Sequence, residues 1–144
     1  MTAKQYLSKA HHLHRQCESL EHKLIMLRSK AEGLDAVRYD ADKVKATPAN
    51  SMENALAELV DVEMRYKNLI VKYNRAIITI SKQIQNMTNQ TYAEILRLRY
   101  LEEDKDGRQL TLAEISKEMG YSIGRAEHLH GEALKAFEKQ YFKS

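Results

Sequence analysis

The residues best suited to chemistry lie in the C-terminal part of the chain, beginning at a serine. Ser122 and the backbone amides that follow it can bind a phosphate, because the first amides of a helix lack internal partners. Arg125 adds a permanent cation that can hold a phosphate through two nitrogens. His128 and His130 can donate to phosphate or base edges when suitably protonated. These residue types indicate contact with a nucleic acid.

Neighbouring residues extend this pattern and partly oppose it. Ile123 can pack on a thymine methyl group, and Gly124 permits close backbone approach at some cost in helix stability. Glu127 can accept a hydrogen bond from cytosine or repel phosphate. Further cations can bind the flanking backbone, namely Arg97, Arg99, Arg108 and Lys117. We therefore predict a DNA-binding site made of Ser122, Ile123, Gly124, Arg125, Glu127, His128, Lys117 and Arg108.

Catalysis and metal binding have little support in the sequence. There is no phosphate-binding glycine loop and no Ser-His-Asp constellation in a supporting context. The single cysteine, Cys17, excludes a disulfide within the chain and a multi-cysteine zinc site. His11 and His14 share a helix face with one another, but they are better explained as part of a solvated flank. We predict no enzymatic activity, no cofactor and no metal.

Length and composition predict a helical protein. With 144 residues, the chain has room for one domain, or for a small domain and an extended element. Five glycines and one proline, with 43% apolar and 30% charged residues, are typical of long helices joined to a small compact module. The chain starts without the apolar core of a signal peptide and has no run of about 18 apolar residues. We expect a cytoplasmic protein without a membrane partner.

Charge is distributed unevenly along the chain. The net charge is +3 overall, and residues 1–34 account for +3, residues 35–87 for +1 and residues 88–144 for −1. The segment that carries the candidate DNA site is therefore slightly acidic. This opposes strong phosphate binding by one copy, to which we assign roughly five phosphate contacts at most. Two copies bound together would compensate, and we predict a homodimer held by the N-terminal helices.

Two stretches of heptad spacing predict two long helices. Apolar residues recur at intervals of four and three, first at Tyr6, Ala10, Leu13, Cys17, Leu20, Leu24, Leu27, Ala31 and Leu34. The second seam is Met52, Leu56, Leu59, Glu63, Tyr66, Ile70, Tyr73, Ile77, Ile80, Ile84 and Met87, with Val62 and Leu69 beside it. Gly33 is a plausible end for the first helix, and residues 35–50, which contain Pro48, are predicted as a linker. The seams predict a coiled-coil hairpin within one chain, pairing with a partner chain, or a four-helix assembly.

A helix-turn-helix follows a shorter helix at about Tyr92–Glu102 and a polar turn at 103–108. Thr111 and Glu114 have the spacing of a capping box, which predicts a helix start there. Gly120 suits a left-handed turn position. Ser122 is the predicted cap of a helix to about Phe142, and Ala126 is small enough for close helix packing. In such a unit the second helix enters the major groove.

The same residues carry a resemblance to a known family. Glu94–Tyr100, Leu110–Ser122 and Leu129–Phe137 resemble region 4 of sigma-70-type transcription factors. With its heptad-rich first half, the chain is similar to small phage and prophage transcription regulators of the ArpU/RinA-like late-gene activator type. The resemblance implies promoter DNA as a partner, leaves contact with RNA polymerase open, and implies the cytoplasm of a bacterial host cell.

In sigma region 4, the groove-facing residues lie at the start of the last helix. The matching positions here are Ile123, Gly124, Glu127 and His128, where the family pattern prefers Arg, Glu, Arg and Gln. The chain departs from the pattern at all four positions, so recognition of a standard −35 element does not carry over. Arg125 matches a family arginine that is usually directed at the phosphate backbone.

We predict an all-α protein with a coiled-coil helical hairpin at residues 1–87 and a sigma-region-4-like helix-turn-helix domain at residues 88–144. The predicted function is sequence-specific regulation of transcription, of phage or prophage genes. One alternative is a protein-interaction module that binds RNA polymerase or another factor without reading DNA. Another is a purely structural coiled-coil assembly protein.

Overall fold

The chain is built from helices throughout the part that a computed structural model describes, residues 1–39 and 49–142. The helices are α1 (Ala3–Tyr39), α2 (Ala49–Gln85), α3 (Gln90–Tyr100), α4 (Leu112–Met119) and α5 (Ile123–Tyr141). Over the same residues there is no strand, and a single antiparallel bridge joins Glu103 and Gln109. A search of these residues finds no helix that is long and apolar enough to span a membrane.

The two long helices confirm the predicted all-α class, but their ends differ from the prediction. Helix α1 passes through Gly33 and continues to Tyr39, so Gly33 does not end it. Helix α2 begins at Ala49. The predicted linker is therefore helical at 35–39 and 49–50, and the rest of it, with Pro48, lies outside the described residues. One glycine costs only about 1 kcal/mol in a helix, which a long heptad-bearing helix can tolerate.

The buried face of α1 follows the predicted seam, whereas that of α2 shifts. On α1 the buried seam residues are Ala10, Leu13, Cys17, Leu24, Leu27 and Ala31. In the first half of α2, Ala55 and Val62 are buried, while the predicted seam residue Leu56 is 44% exposed. Val62, placed beside the seam from the sequence, is therefore central to the packing. Coiled-coil geometry for these helices stays a prediction.

Packing divides the chain into two compact units. One unit is His14–Lys72. Its core contains Leu24 and Leu27 of α1 against Val62 of α2, with Leu20, Leu59 and Tyr66 packed around them. An ion pair of 3.3 Å between Arg28 Nη2 and Glu63 Oε1 lies beside this core. Glu63 thus has a partner, which explains a polar residue at a seam position.

The other unit joins Met1–Leu13 to Tyr73–Ser144, so the start of α1 belongs to the core of the C-terminal helices. Leu7 and Phe137 of α5 are both fully buried there. The rings of Tyr6 and Phe137 lie 5.9 Å apart, and the Tyr6 hydroxyl donates to Gln83 Oε1 at 2.6 Å. The backbone amide of Ala3 donates to Glu138 Oε1 at 2.9 Å.

This packing predicts that a substitution near the N-terminus destabilises the C-terminal helices. Leu7→Ala removes a fully buried side chain and should lower the free energy of unfolding by about 2–5 kcal/mol. Urea unfolding followed by circular dichroism measures the loss. Lys9→Ala, at an exposed position of the same helix, is the control and should change stability by less than about 0.5 kcal/mol. Equal stability of both variants would contradict the packing of α1 into this unit.

Candidate nucleic-acid interface

The interface begins with the start of α4, where the predicted capping box is present. The Thr111 hydroxyl accepts a hydrogen bond from the Glu114 amide at 3.2 Å, and the Glu114 carboxylate accepts one from the Thr111 amide. Both contacts satisfy amides that the helix itself leaves free. Ile115 and Ser116 are the buried residues of this short helix. The capping box therefore fixes where α4 starts, and its buried side chains fix which side it turns inward.

The turn between α4 and α5 is formed by Gly120, as predicted. Its φ of +75° lies in the left-handed region, which a Cβ atom would penalise. The amide of Tyr121 then donates to the Ser116 carbonyl at 2.8 Å. This hydrogen bond satisfies a carbonyl at the end of α4 and sets the direction in which the chain enters α5.

Helix α5 separates a buried face from an exposed N-terminal face. Ser122 is its N-cap, and the Ser122 hydroxyl accepts from the Arg125 amide at 3.2 Å. Ala126 is fully buried, so α5 approaches its neighbours closely at that point. The predicted site residues in the first two turns are all exposed, namely Ser122, Ile123, Gly124, Arg125, Glu127 and His128. The structure therefore brings these six residues together on one accessible helix end.

Arg125 is held in place by an aromatic ring. Its guanidinium lies 4.6 Å from the centre of the Tyr121 ring, within range of a cation–π contact. The contact restrains a flexible side chain while Arg125 stays exposed and charged. Tyr121 is half-buried and supports the cation. The sequence analysis missed this pairing, although a tyrosine four positions before an arginine was visible.

Of the other predicted cations, two are exposed and two make contacts within the C-terminal unit. Lys117 is exposed on α4, and Arg108 is exposed in the turn between α3 and α4, away in sequence from the α5 start. Arg97 makes an ion pair of 2.8 Å with Glu102. Arg99 instead donates to the Leu110 carbonyl at 2.7 Å. Arg99 thus joins the end of α3 to the segment before α4, whereas Arg97 is engaged in a half-exposed ion pair.

His130 lies on the inner side of α5 and is not placed to read DNA, contrary to the prediction. Its Nε2 lies 2.7 Å from the Tyr100 hydroxyl, and the two rings are stacked. Burial, with Arg99 and Lys4 adding to it, lowers the pKa of His130 to about 4. Burial raises the pKa of Tyr100 to about 12. Near neutral pH both side chains are therefore uncharged, and the contact is a hydrogen bond between a neutral phenol and a neutral imidazole.

The fold and the site together define a helix-turn-helix module of the DNA-binding type. Residues 89–137 match the family model described as Sigma-70, region 4. This segment spans α3, α4 and most of α5, so a sigma-70 region 4 helix-turn-helix domain is present at residues 89–137. No curated protein and no solved structure showed a significant match. Among the described residues, no group of three or more His, Cys, Asp or Glu side chains is arranged to hold a metal ion.

The Tyr100–His130 contact predicts how stability changes with pH. The folded pKa of His130 is lowered from 6.5 to about 4, so the unfolded chain binds this proton first as the pH falls. The stability that depends on neutral His130 is complete above pH 6.5 and decreases between pH 6.5 and about 4. Denaturation midpoints measured across this range should fall for the natural chain and fall less steeply for His130→Gln. His22→Gln, at an exposed position, is the control, and an equal slope for both variants would contradict the assignment.

Proposed function

We propose that this protein is a sequence-specific DNA-binding regulator of transcription that controls phage or prophage genes. The observation that carries the proposal is the exposed N-terminal end of α5, with Arg125 held by Tyr121, in a segment that matches sigma-70 region 4. In a helix-turn-helix, this end of the second helix enters the major groove. The phage or prophage setting rests on the resemblance of the whole chain to late-gene activators.

In this mechanism, one group of residues positions the protein on the DNA backbone, and another group reads the base sequence. Ser122, Arg125 and Lys117 contact phosphates, and Arg108 contacts the flanking backbone. Ile123, Glu127 and His128 face base edges, and Gly124 lets the helix backbone come close to the groove. The uncharged and acidic groups among them make the site unlike that of a standard sigma factor, so we expect a different DNA sequence to be recognised.

The proposed role of the N-terminal helices is dimerisation. We propose that residues 1–87 act as a coiled-coil hairpin that holds two copies together, and that residues 88–144 are the DNA-binding domain. Two copies double the number of phosphate contacts, which compensates for the slightly acidic C-terminal segment. RNA polymerase is a further proposed partner, and the bacterial cytoplasm is the proposed location.

Selection of duplexes from a random double-stranded library by the purified protein tests the proposal, at two salt concentrations. An enriched motif whose recovery falls at higher salt is the expected result, and the spacing of its half-sites reports whether a dimer binds. The absence of any enriched motif at low salt would contradict direct DNA reading by this protein alone.

Arg125 should contribute to affinity without contributing to folding. Arg125→Ala should weaken binding to the selected duplex by about tenfold or more and reduce the salt-dependence slope by about 0.9. Lys135→Ala is the matched control, because Lys135 is an exposed cation later on the same helix. Fluorescence anisotropy titrations measure both variants. If Arg125→Ala and Lys135→Ala bind alike, the N-terminal end of α5 is not the contact surface.

Gly124 should show opposite effects on folding and on binding. A Cβ at Gly124 meets no atom within 4 Å, so Gly124→Ala should stabilise α5 by about 1 kcal/mol. The added methyl group would stand between the helix and the groove, and DNA affinity should fall. Gly131→Ala is the control, since Gly131 also has open space around its Cβ position but lies two turns further along. If the Gly124→Ala variant binds DNA as well as the natural chain does, the backbone of α5 does not approach the groove closely at this position.

One further observation favours the second candidate function, a protein-interaction module. An open groove of about 710 Å³ lies beside α3, with Ile77, Ile84, Ala93 and Leu101 among its apolar lining residues. Such a groove can receive an apolar segment of another protein. Under this alternative, Arg125→Ala leaves all DNA measurements unchanged, whereas Glu94→Arg, at an exposed position of the groove, abolishes binding of RNA polymerase in a pull-down assay.

A further inference from the structure

A row of exposed apolar side chains marks one side of α2 within the unit His14–Lys72. Val60 is 56% exposed and Met64 is 61% exposed, and Leu56 and Val71 are also accessible. Val60 and Met64 lie two residues on either side of buried Val62, which places them on the opposite side of the helix. A helix face turned toward water is normally polar. This side of α2 therefore has the composition of a contact surface.

The residues along this side have the spacing of a helix–helix contact. The series at intervals of four and three runs through Glu53, Ala57, Val60, Met64 and Lys67 and continues to Val71, with Leu56 beside it. From Glu53 to Lys67 these residues are acidic, small, apolar, large and basic in turn. A second copy that runs in the opposite direction therefore presents a basic residue to the acidic one and a large residue to the small one. An antiparallel second copy centred on Val60 would set Glu53 opposite Lys67 of that copy. Ala57 would lie within one residue of Met64 of that copy, because Ala57 is three residues and Met64 four residues from Val60. Val60 would meet its equivalent on the two-fold axis.

The charges of α2 favour the same orientation. Every acidic residue of the helix precedes every basic one: Glu53, Glu58, Asp61 and Glu63 come first, and Arg65, Lys67, Lys72, Arg75 and Lys82 follow. Antiparallel pairing places the acidic half of one helix against the basic half of the other. Parallel pairing would place like charges together. Opposite charges beside an apolar seam select the partner and its orientation.

We propose that the side of α2 formed by Glu53, Ala57, Val60, Met64 and Lys67 binds a second copy of this chain in antiparallel orientation. The interface deepens the homodimer of the proposed function and is independent of DNA recognition. It is isologous, since the same residues contribute from both copies, and the assembly therefore closes as a dimer.

Sedimentation equilibrium of the full chain without DNA tests the interface. The natural chain should dimerise, and Val60→Glu should raise the dimer dissociation constant by about tenfold or more, because it places two carboxylates at the two-fold axis. Met26→Glu is the matched control, since Met26 is 59% exposed on α1 of the same unit. Circular dichroism checks that both variants keep their helices. Arg125→Ala should remain a dimer, so a failure of DNA recognition is distinguishable from a failure of this interface.

Charge exchange tests the orientation with variants at exposed positions. Lys67→Glu alone and Glu53→Lys alone should each weaken the dimer, and lower salt should increase the loss. The double exchange in one chain should restore dimerisation, and mixing the two single variants should give a heterodimer. A parallel, in-register pair would show no such restoration, because each position would then face its own equivalent.

Each contrary result has a distinct meaning. A natural chain that stays monomeric at about 100 μM would overturn both this interface and the proposed homodimer. A dimer that Val60→Glu leaves intact, or that Met26→Glu weakens equally, would overturn the α2 interface while leaving the homodimer. Failure of the double exchange to restore dimerisation would overturn the antiparallel arrangement.

Discussion

The C-terminal unit depends on the burial of Phe137 near the end of α5. This ring is fully buried and contacts aromatic rings from two directions, including Tyr6 on α1 and Tyr141 on α5 itself. Because a fully buried aromatic side chain contributes several kcal/mol, the end of α5 has little freedom to move. The N-terminal end of the same helix can then project its polar groups outward at a defined angle. The C-terminal end of α5 is thus anchored in the core, and its N-terminal end is exposed.

The same division explains why polar groups that looked alike in the sequence differ in the structure. His128 and His130 are two residues apart, so they face different sides of α5. His128 is exposed, whereas His130 stacks on Tyr100 and stays neutral. Arg97 and Arg99 are also two apart: Arg97 is exposed, whereas Arg99 is half-buried and donates to the Leu110 carbonyl. In this module, helix periodicity decides which polar residues remain available to a ligand.

Local signals in the sequence were sufficient to predict much of the C-terminal unit. The capping box at Thr111, the left-handed Gly120 and the cap at Ser122 are all determined by residues within a few positions of one another. The packing of Leu7 could not be predicted in this way, because most of the core that it joins lies more than 70 residues away in the sequence and the heptad count favoured Tyr6. The shift of the α2 seam from Leu56 to Val62 has a similar cause. Several apolar residues of α2 could lie on its buried face, and only packing against the partner helix determines which of them are buried.

The hydrogen bond from Arg99 to the Leu110 carbonyl has a consequence for how this fold can vary. It joins the end of α3 to the segment just before α4, on either side of the polar turn that contains Gly107. The ends of that turn are therefore held together by a contact that does not involve the turn residues themselves. The cost of closing a longer loop rises only slowly with its length. Lys105 and Asp106, at the tip of the turn, are thus positions that can be exchanged over evolutionary time, or carry a reporter group, while the helices on both sides keep their places.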